Sequence, residues 1–544
     1  MSQKTVAMRM IEGLRDRGVR HVFGVPSGGW VDFMEAIRNT DGIDFVLATH
    51  EGGAAFMADI CGRMTGVPGV CFGTYGPGAT NLATGVGNAQ LDRSPLIALT
   101  DEMPEKMRSR VTQMGIDHQA LMAPITKWTT RLTVANVDET LDQAFEMALS
   151  GRPGAVHIGM PTDLTAKPAE NLGATRAKPF VPTKVPAADS ALIETAKAQF
   201  SAARKPALVI GLGAVRAGMA EPLRAFCEAH SIPAVLTPMA KGLIPDAHRS
   251  YAGVLFHALS DKVAETHKQA DLMVAVGYDP VEFNYENWLH KMPLVNIDTV
   301  PVDIDRETYP DCLDLTGDVA ATFDAFAKVA VGENDWDMAA LKDRMDAIRK
   351  EMSPRNTDFG PCAALDTLRS LLPQDGIMTC DVGAHTHLIG QKWQTPGPDT
   401  QIMTNGWSAM GFGLPAAIAA KLSRPEATVC AVLGDGGFLM TVGELATAVR
   451  ENLKIVFVVL TDNDLALIRI KQQRKGNPIY GTPVRGGGTI GGDNLFGVPV
   501  MTASDRDSFE STLKKAFEAD GPVIVEAQVS SAEYDALVLF KDKS

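Results

Sequence analysis

The segment 427–464 constrains the fold more than any other part of the chain. Two short apolar runs rich in β-branched residues, at 429–433 and 455–460, flank a stretch with helical spacing at 443–450. Each run predicts a buried parallel strand, and the order strand, helix, strand predicts a βαβ unit with a right-handed crossover. We therefore expect an α/β fold in which helices flank parallel sheets.

Polar residues follow both predicted strands at the point where each strand ends. Gly-Asp-Gly stands at 434–436 and Thr-Asp-Asn-Asp at 461–464. In an open parallel sheet, ligands bind at the carboxyl ends of the strands, so these side chains are expected to meet in one crevice. Oxygen ligands beside a phosphate suit Mg²⁺, and the glycines allow backbone N–H groups to approach a diphosphate.

Composition narrows the class of protein. A chain of 544 residues predicts two to four domains at ~100–200 residues each. The net charge of −14 argues against nucleic acid or an anionic membrane as the main partner. Seven scattered cysteines favour reduced thiols and a cytoplasmic location. Residues 1–18 form an amphipathic helical pattern rather than a signal peptide, and no apolar run approaches the ~18 residues of a membrane span.

The first 167 residues alternate strand and helix signals, which predicts an α/β domain. The predicted strands lie at 21–24, 45–48, 69–73 and 95–99. Glu51 follows the second of these and precedes a helix, where the helix N-terminus favours a charged carboxylate. Burial against an apolar ring would instead raise the pKa of Glu51 and allow proton exchange with a ring nitrogen. A simple helix-capping role for Glu51 is the alternative.

Three motifs together resemble one enzyme superfamily. They are HEGGAAFMA at 50–58, TYGPGATNLATG at 74–85, and the Gly-Asp-Gly that an Asn/Asp pair follows about 25 residues later. They resemble the thiamine diphosphate (ThDP) enzymes of the acetolactate synthase, pyruvate oxidase and benzoylformate decarboxylase superfamily, and most of all the catabolic acetolactate synthases. The resemblance extends over essentially the whole chain. It implies that Glu51 hydrogen-bonds N1′ of the aminopyrimidine and so promotes loss of the proton from the thiazolium C2.

The resemblance also implies a ligand set for Mg²⁺. The side chains of Asp435 and Asp462 and the main-chain carbonyl of Asp464 would bind the ion. The family more often has Asn-Asn or Asn-Asp where this chain has Thr461-Asp462. Asn463 is therefore an alternative ligand if the register shifts by one residue.

The cofactor itself would be held by residues from both ends of the chain. Met410 would be the apolar wedge that bends the cofactor, with an ordinary core methionine as the alternative. His385 would meet the diphosphate, with an ordinary loop histidine as the alternative. The full set that the resemblance implies is Pro26, Gly76, Asn81, Gly383, Ala384, His385, Ala409, Met410, Gly434, Gly436, Gly437 and Leu465.

The segment 113–119 bears on the substrate. Relatives often have His-Gln four and three residues before Asp117, where this chain has Gln113 and Met114. Gln113 and His118 are candidates to hydrogen-bond a substrate carboxylate or carbonyl, with a solvated loop as the alternative for each. This departure leaves the identity of the 2-oxo acid open. The chain also lacks the His-His pair typical of simple pyruvate decarboxylases.

The resemblance divides the chain into a pyrimidine-binding domain (1–167), a middle domain (192–335) and a diphosphate- and magnesium-binding domain (360–544). A Pro-, Ala- and Lys-rich linker is expected at 168–191 and a linker helix at 336–359. The Gly-Leu-Gly turn at 211–213 is weak evidence for a dinucleotide site. Residues 277–283 resemble the flavin-free branch, so FAD is not expected. The Gly-rich loop 485–492 either gates the site or is an idle surface loop.

The expected reaction is ThDP- and Mg²⁺-dependent decarboxylation of a 2-oxo acid, with carboligation of the acyl anion equivalent to a second carbonyl. A non-ligating 2-oxo acid decarboxylase and a 2-hydroxyacyl lyase are alternatives. A non-catalytic ThDP-binding homologue is a third, against which Glu51 argues. In the family the pyrimidine and diphosphate sites meet between subunits, which implies a homodimer or homotetramer. The partners expected are a small 2-oxo acid and a carbonyl acceptor, with no nucleic acid and no membrane.

Overall fold

The computed structural model describes residues 4–170, 180–283, 290–354, 359–484 and 490–538. Within them lie three sheets, the first in the order β2-β1-β3-β4-β6-β5 with all neighbours parallel. Its strands are β1 (His21–Gly24), β2 (Asp44–Leu47), β3 (Gly69–Gly73), β4 (Leu96–Glu102), β5 (Trp128–Arg131) and β6 (Ala155–Pro161). Its helices are α1 (Val6–Asp16), α2 (Val31–Arg38), α3 (Glu51–Thr65), α4 (Pro77–Leu91), α5 (His118–Met122) and α6 (Val137–Leu149).

The second sheet has the order β12-β11-β10-β7-β8-β9 and is also parallel. Its strands are β7 (Pro206–Ile210), β8 (Ala234–Leu236), β9 (Tyr251–Val254), β10 (Leu272–Val276), β11 (Leu294–Asp298) and β12 (Cys312–Thr316). Its helices are α7 (Ser190–Ala202), α8 (Leu212–Arg216), α9 (Ala220–His230), α10 (Ser260–His267) and α11 (Val319–Phe326). The helix α12 (Met338–Glu351) then leads toward the third sheet.

The third sheet has the order β14-β13-β15-β16-β19-β18-β17, and its edge pair β18 and β17 is antiparallel. Its strands are β13 (Ile377–Cys380), β14 (Gln401–Ile402), β15 (Val429–Gly434), β16 (Ile455–Thr461), β17 (Asn494–Leu495), β18 (Val498–Ala503) and β19 (Val523–Gln528). Its helices are α13 (Pro361–Leu371), α14 (Ala384–Lys392), α15 (Gly413–Ser423), α16 (Asp435–Thr441), α17 (Leu445–Arg450), α18 (Ala466–Arg474), α19 (Arg506–Glu518) and α20 (Ala532–Leu537).

The predicted α/β class with parallel sheets and flanking helices is confirmed. β15 and β16 are parallel neighbours, paired from Val429 with Ile455 to Gly434 with Leu460. The crossover differs from the prediction in one respect, because α16 begins at Asp435 itself and a short 3-10 turn precedes α17. The first side chain after β15 therefore stands at a helix N-terminus, where a negative charge is favoured.

The predicted domain boundaries stay predictions. The three sheets lie within residues 21–161, 206–316 and 377–528. Residues 180–189 contain no helix or strand, and the rest of the expected linker at 171–179 lies outside the described residues. Among the described helices, none combines the length and apolar character that a membrane crossing requires.

The third sheet shares hydrophobic cores with both other sheets. One of its faces packs with α3 and α4, in a core that includes Phe56, Phe412 and Phe457. Its other face packs in a core that also contains the second sheet, through Leu388 and Trp393. The strand ends that carry the candidate site are therefore held by apolar burial on both faces of the sheet.

A buried network of charges ties the first sheet to the third. Arg63 donates to Asp59 at 3.2 Å, to Asp92 at 3.0 Å and to the Met403 carbonyl at 2.7 Å. Asp92 in turn accepts from the main-chain N–H of Gly406 at 2.7 Å. Both carboxylates are inaccessible to solvent, so their charges depend on this one guanidinium and its neighbours.

We expect Arg63→Ala to destabilise the protein by about 3–5 kcal/mol, because it leaves two buried carboxylates without their cation. Thermal unfolding measures the loss. Arg38→Ala is the matched control, since Arg38 pairs with Glu35 at 2.6 Å on an exposed surface and its loss is expected to leave the midpoint unchanged. Equal midpoints for wild type and Arg63→Ala would show that the network does not stabilise the fold.

Candidate active site

The ends of β15 and β16 are joined by a buried carboxylate. Asp435 accepts from the main-chain N–H of Asn463 at 2.8 Å, and from its neighbour Gly436 at 2.8 Å. Asp435 is 2% exposed, so both bonds lie away from solvent. The prediction that the two strand ends meet is thus confirmed by a direct contact between their loops.

Asp462 adds a second carboxylate to this corner. Its Oδ1 accepts from the Asp464 N–H at 3.2 Å, and its Oδ2 is buried with no hydrogen-bond partner among the described residues. Burial raises the pKa of Asp462 to about 7, and the charges of Asp435 and Asp464 act in the same direction. A divalent cation would relieve both effects, so this donor set fits Mg²⁺.

The remaining predicted ligands have different surroundings. Asn463 has φ of 59°, its main-chain carbonyl accepts from Val484 N–H at 2.9 Å, and its side-chain Oδ1 is buried and unpartnered among the described residues. Asp464 pairs through its carboxylate with Arg469 at 2.7 Å. Its Oδ1 is buried with no hydrogen-bond partner among the described residues, and binding of Mg²⁺ by its main-chain carbonyl stays a prediction. Asp462 and Asn463 both present a free oxygen, and charge favours Asp462.

An apolar pair covers the first turn of α16. A Cβ placed on Gly436 would lie 2.7 Å from Leu465 Cδ2 and 3.4 Å from Met410 Cε. Met410 and Leu465 thus approach the Gly-Asp-Gly motif so closely that a side chain at 436 would have to displace Leu465. Ala409 precedes Met410 and is partly buried beside the core of the third sheet.

His385 lies against the same motif from the side of β13. A Cβ on Gly434 would lie 3.2 Å from the His385 ring, and one on Gly383 would lie 2.9 Å from it. Burial lowers the pKa of His385 to about 4, so the imidazole is neutral at physiological pH. Its Nε2 is buried with no hydrogen-bond partner among the described residues. With Gly383 and Ala384 at the start of α14, this unpartnered nitrogen fits a phosphate oxygen.

Asp381 is a residue of this site that the sequence reasoning did not single out. Its carboxylate accepts from the N–H groups of Val382 at 2.7 Å and Gly411 at 2.9 Å. A Cβ on Gly437 would lie 2.3 Å from its Oδ2. Asp381 therefore fastens the loop of Met410 to the Gly-Asp-Gly motif. The signal was available, because Asp381 directly follows β13 as Asp435 follows β15.

Glu51 begins α3 and is 9% exposed. Asn81 donates to its Oε2 at 2.9 Å. A Cβ on Gly78 would lie 3.2 Å from its Oε1, so the glycine-rich turn passes directly over the carboxylate. Glu51, Asn81 and the turn that includes Gly76 are thus brought together, as the sequence predicted.

Pro26 lies in the loop after β1, beside this cluster in the sheet order. It is exposed, and the next residue, Ser27, donates to Asp101 at 2.5 Å. Asp101 lies near the carboxyl end of β4, so this hydrogen bond fixes the loop to that edge of the first sheet. A cofactor contact by Pro26 stays a prediction.

The two predicted substrate contacts, Gln113 and His118, differ in their surroundings. Gln113 is exposed, in accord with the solvated-loop alternative. His118 is buried at the wall of a cavity of about 200 Å³, which Tyr75, Arg108 and Arg110 also line. Both ring nitrogens of His118 bond to protein atoms, Thr100 Oγ1 at 2.9 Å and the Gly76 N–H at 3.1 Å. Contact with substrate by either residue stays a prediction.

Within one chain, the start of α3, which carries Glu51, is anchored on Glu444. The N–H groups of Thr49 and His50 donate to the Glu444 carboxylate, at 3.2 and 3.1 Å, which anchors the start of α3 on the third sheet's helices. Among the described residues, Glu51 itself forms no hydrogen bond with Asp435 or Asp462.

The glycine turn after β7 is filled by the protein. A Cβ on Gly211 would lie 2.4 Å from the Gly277 carbonyl oxygen. The buried carboxylate of Glu282 accepts from the Leu212 N–H at 2.8 Å and from Thr237 Oγ1 at 2.7 Å. An acidic group thus already occupies the place that a dinucleotide phosphate would take in such a turn. Of the Gly-rich loop 485–492, residues 485–489 lie outside the described part of the chain.

Comparison with known proteins places this geometry in a family. Residues 4–121, 193–326 and 381–527 match the N-terminal binding domain, the central domain and the C-terminal binding domain of thiamine pyrophosphate enzymes. Thiamine pyrophosphate is another name for thiamine diphosphate.

Three curated relatives cover nearly the whole chain. The acetolactate synthase of Bacillus subtilis is 31% identical over 98% of this chain and 94% of its own length. The catabolic acetolactate synthase of Raoultella terrigena is 28% identical over 95% and 93%. A probable 2-ketoarginine decarboxylase of Pseudomonas aeruginosa is 31% identical over 97% and 94%. The chain therefore belongs to the thiamine pyrophosphate enzyme family, with the N-terminal, central and C-terminal domains of that family in order.

Proposed function

We propose that the protein uses ThDP and Mg²⁺ to decarboxylate a 2-oxo acid and to join the resulting acyl anion equivalent to a second carbonyl. The observation that carries this proposal is the pair of chemically complementary half-sites. One half presents the neighbouring carboxylates of Asp435 and Asp462, and the other presents Glu51 beside a glycine-rich turn. Relatives named as acetolactate synthases support the carboligation step.

The residues of the third sheet would hold the cofactor's diphosphate end. Asp435 and Asp462 would bind Mg²⁺, and the ion would compensate their like charges. The Nε2 of His385 has no hydrogen-bond partner among the described residues, so it would face a phosphate oxygen and donate to it only when this nitrogen carries a ring proton. Met410 and Leu465 would exclude water from the reacting face, and Asp381 would hold the Met410 loop in place.

The residues of the first sheet would control a proton. Bound ThDP supplies a nucleophilic carbon and an electron sink for the decarboxylation. Glu51 would hold and release a proton at its carboxyl group, next to the aminopyrimidine ring. Asn81 donates to Glu51 Oε2 at 2.9 Å, which leaves Oε1 to face the turn at Gly78. Asn81 thereby orients the carboxylate for this exchange.

We further propose that the complete site forms between two subunits. In the family that the chain resembles, the pyrimidine and diphosphate sites meet between subunits, and here the start of α3 is anchored on Glu444. A homodimer or homotetramer would bring Glu51 of one copy to the diphosphate site of another. A cytoplasmic location accords with the reduced, mostly buried cysteines.

Flavin is not part of the proposed chemistry. Addition of an acyl anion equivalent to a carbonyl involves no net oxidation, so it requires no electron carrier. The buried Glu282 side chain also occupies the turn at 211–213 and accepts its Leu212 N–H, which a dinucleotide phosphate would otherwise use. We therefore expect a colourless protein that needs ThDP and Mg²⁺ alone.

A non-ligating 2-oxo acid decarboxylase is the second candidate, because a relative at 31% identity carries the name of a decarboxylase. Product analysis distinguishes the two. Purified protein with ThDP, Mg²⁺ and no flavin is incubated with a panel of 2-oxo acids, and CO₂ and product masses are recorded. A hydroxyketone supports carboligation, a free aldehyde supports the second candidate, and absence of CO₂ with every acid would reject both.

We expect Glu51→Gln to bind ThDP with near-normal affinity but to lose turnover by about 10²–10⁴-fold, the range for loss of a general acid–base group. The amide has the shape of the carboxyl group but no exchangeable acid proton. CO₂ release measures turnover, and isothermal titration measures ThDP affinity. Glu35→Gln, at an exposed position, is the control. Turnover near the wild-type value would remove the role assigned to Glu51.

We expect Asp435→Ala to weaken ThDP binding by at least about tenfold, since even indirect partners of metal ligands cost ~10–100-fold when they are lost. EDTA should weaken wild-type binding in the same way. Titration of ThDP in the presence of Mg²⁺ measures both effects, with Asp520→Ala at an exposed position as the control. Unchanged affinity in the variant and in EDTA would show that Asp435 holds no metal.

A further inference from the structure

A row of four polar side chains crosses the first sheet beneath the glycine-rich turn. Thr129 on β5, His157 on β6 and Thr100 on β4 lie side by side, and His118 at the start of α5 continues the row. The links measure 2.7 Å from Thr129 Oγ1 to His157 Nδ1, 2.8 Å from His157 Nε2 to Thr100 Oγ1, and 2.9 Å from Thr100 Oγ1 to His118 Nδ1. Thr100 and His157 are inaccessible to solvent, and His118 is 2% exposed.

At the Gly76 end of the row, the donor and the acceptor of the hydrogen bond can be assigned. The Gly76 N–H can donate and cannot accept, and it lies 3.1 Å from His118 Nε2. His118 must therefore carry its proton on Nδ1 and donate it to Thr100. Thr100 has one hydroxyl proton, which then points to His157 Nε2. His157 in turn carries its proton on Nδ1 and donates it to Thr129.

Both imidazoles are neutral in this arrangement. Burial lowers the pKa of His118 to about 4 and that of His157 to about 3. A charged His118 would lose the bond from Gly76, because Nε2 could no longer accept.

The two histidines and the nearby Glu102 could also form a metal site, since ligand atoms of Glu102, His118 and His157 lie within 4.8 Å of one another. The hydrogen bonds argue against it. Glu102 is held by Arg131 at 2.5 Å and by Gln119, and the two histidine nitrogens that face each other are both held by Thr100. Each ligand atom already has a protein partner.

The end of the row controls the turn above Glu51. Gly76 has φ of 67°, a left-handed conformation that other residues rarely adopt, and it directly precedes α4. Two residues later, Gly78 lies so near Glu51 that an added Cβ would be 3.2 Å from Oε1, and Asn81 in α4 donates to Glu51 Oε2. A change in the Gly76 turn would therefore move both neighbours of Glu51.

We propose that His118, Thr100 and His157 form a one-directional hydrogen-bond relay that fixes the Gly76 turn and thereby positions Glu51 and Asn81. His118 is then a positioning residue rather than a group that contacts substrate. The effect on catalysis rests on the proposed function, whereas the proton positions on the two imidazoles do not.

The test begins with the wild-type protein labelled with ¹⁵N at histidine. At neutral pH, the ring nitrogens of His118 and His157, assigned by substitution of each to Gln, should both show a protonated Nδ1 and an unprotonated Nε2. A proton on Nε2 of His118, a charged ring at either position, or a change in both signals on addition of Zn²⁺ would overturn the relay. This readout needs no activity, so it stands if the protein acts on none of the 2-oxo acids.

Variants of Thr100 test the catalytic consequence. We expect Thr100→Val to leave the proton of His118 on Nδ1, where the Gly76 N–H fixes it, and to shift the proton of His157 toward a mixture of positions. We also expect kcat to fall about tenfold, with KM for the 2-oxo acid changed less than about twofold. Thr100→Ser keeps the hydroxyl and should restore both properties. Thr367→Val is the matched control, because Thr367 is equally buried and its hydroxyl has no partner among the described residues. An unchanged His157 signal and unchanged kcat in Thr100→Val would overturn the proposal.

Discussion

The hydrogen bond from the Asn463 N–H to Asp435 is the contact on which the candidate site depends. It joins the ends of two neighbouring strands at 2.8 Å and holds Asp435 and Asp462 in one buried corner. This arrangement lowers the free energy of unfolding when Asp462 is ionised, because burial and the neighbouring charge of Asp435 both disfavour the charged form. Functional sites often lower the stability of the folded protein until their ligand binds. Binding of Mg²⁺ and diphosphate would therefore stabilise the folded protein through mass action as well as through local compensation.

The rest of the fold makes that corner rigid. Apolar burial on both faces of the third sheet fixes β15 and β16, and Asp381 fastens the Met410 loop across their ends. The Arg63 network and the Glu444 carboxylate attach the first sheet to the third within the same chain. Each half-site is thus preorganised before any ligand binds, which favours precise positioning in catalysis.

Sequence reasoning succeeded where local pattern carried the signal. The runs at 429–433 and 455–460 are continuously apolar and rich in β-branched residues, so the βαβ unit and its acidic strand ends followed directly. It missed short or polar strands such as β5 (Trp128–Arg131) and β17 (Asn494–Leu495), whose pairing is decided by partners distant in the chain. The bonds of His118 and the role of Asp381 are likewise non-local, since they join separate strands, helices and turns. The hydrophobic pattern along the sequence carries no information on such contacts.

The most direct measurement is thermal unfolding of Asp462→Ala, which removes both side-chain oxygens, beside the wild type at mildly alkaline pH, each with and without Mg²⁺ and ThDP. Without cofactor, we expect the variant to unfold at a higher temperature, because a buried charge and its repulsion from Asp435 are gone. With cofactor, we expect the wild type to gain clearly and the variant to gain little. A cofactor-free variant that is less stable than the wild type, and that still gains as much from Mg²⁺ and ThDP, would contradict the paired-carboxylate site.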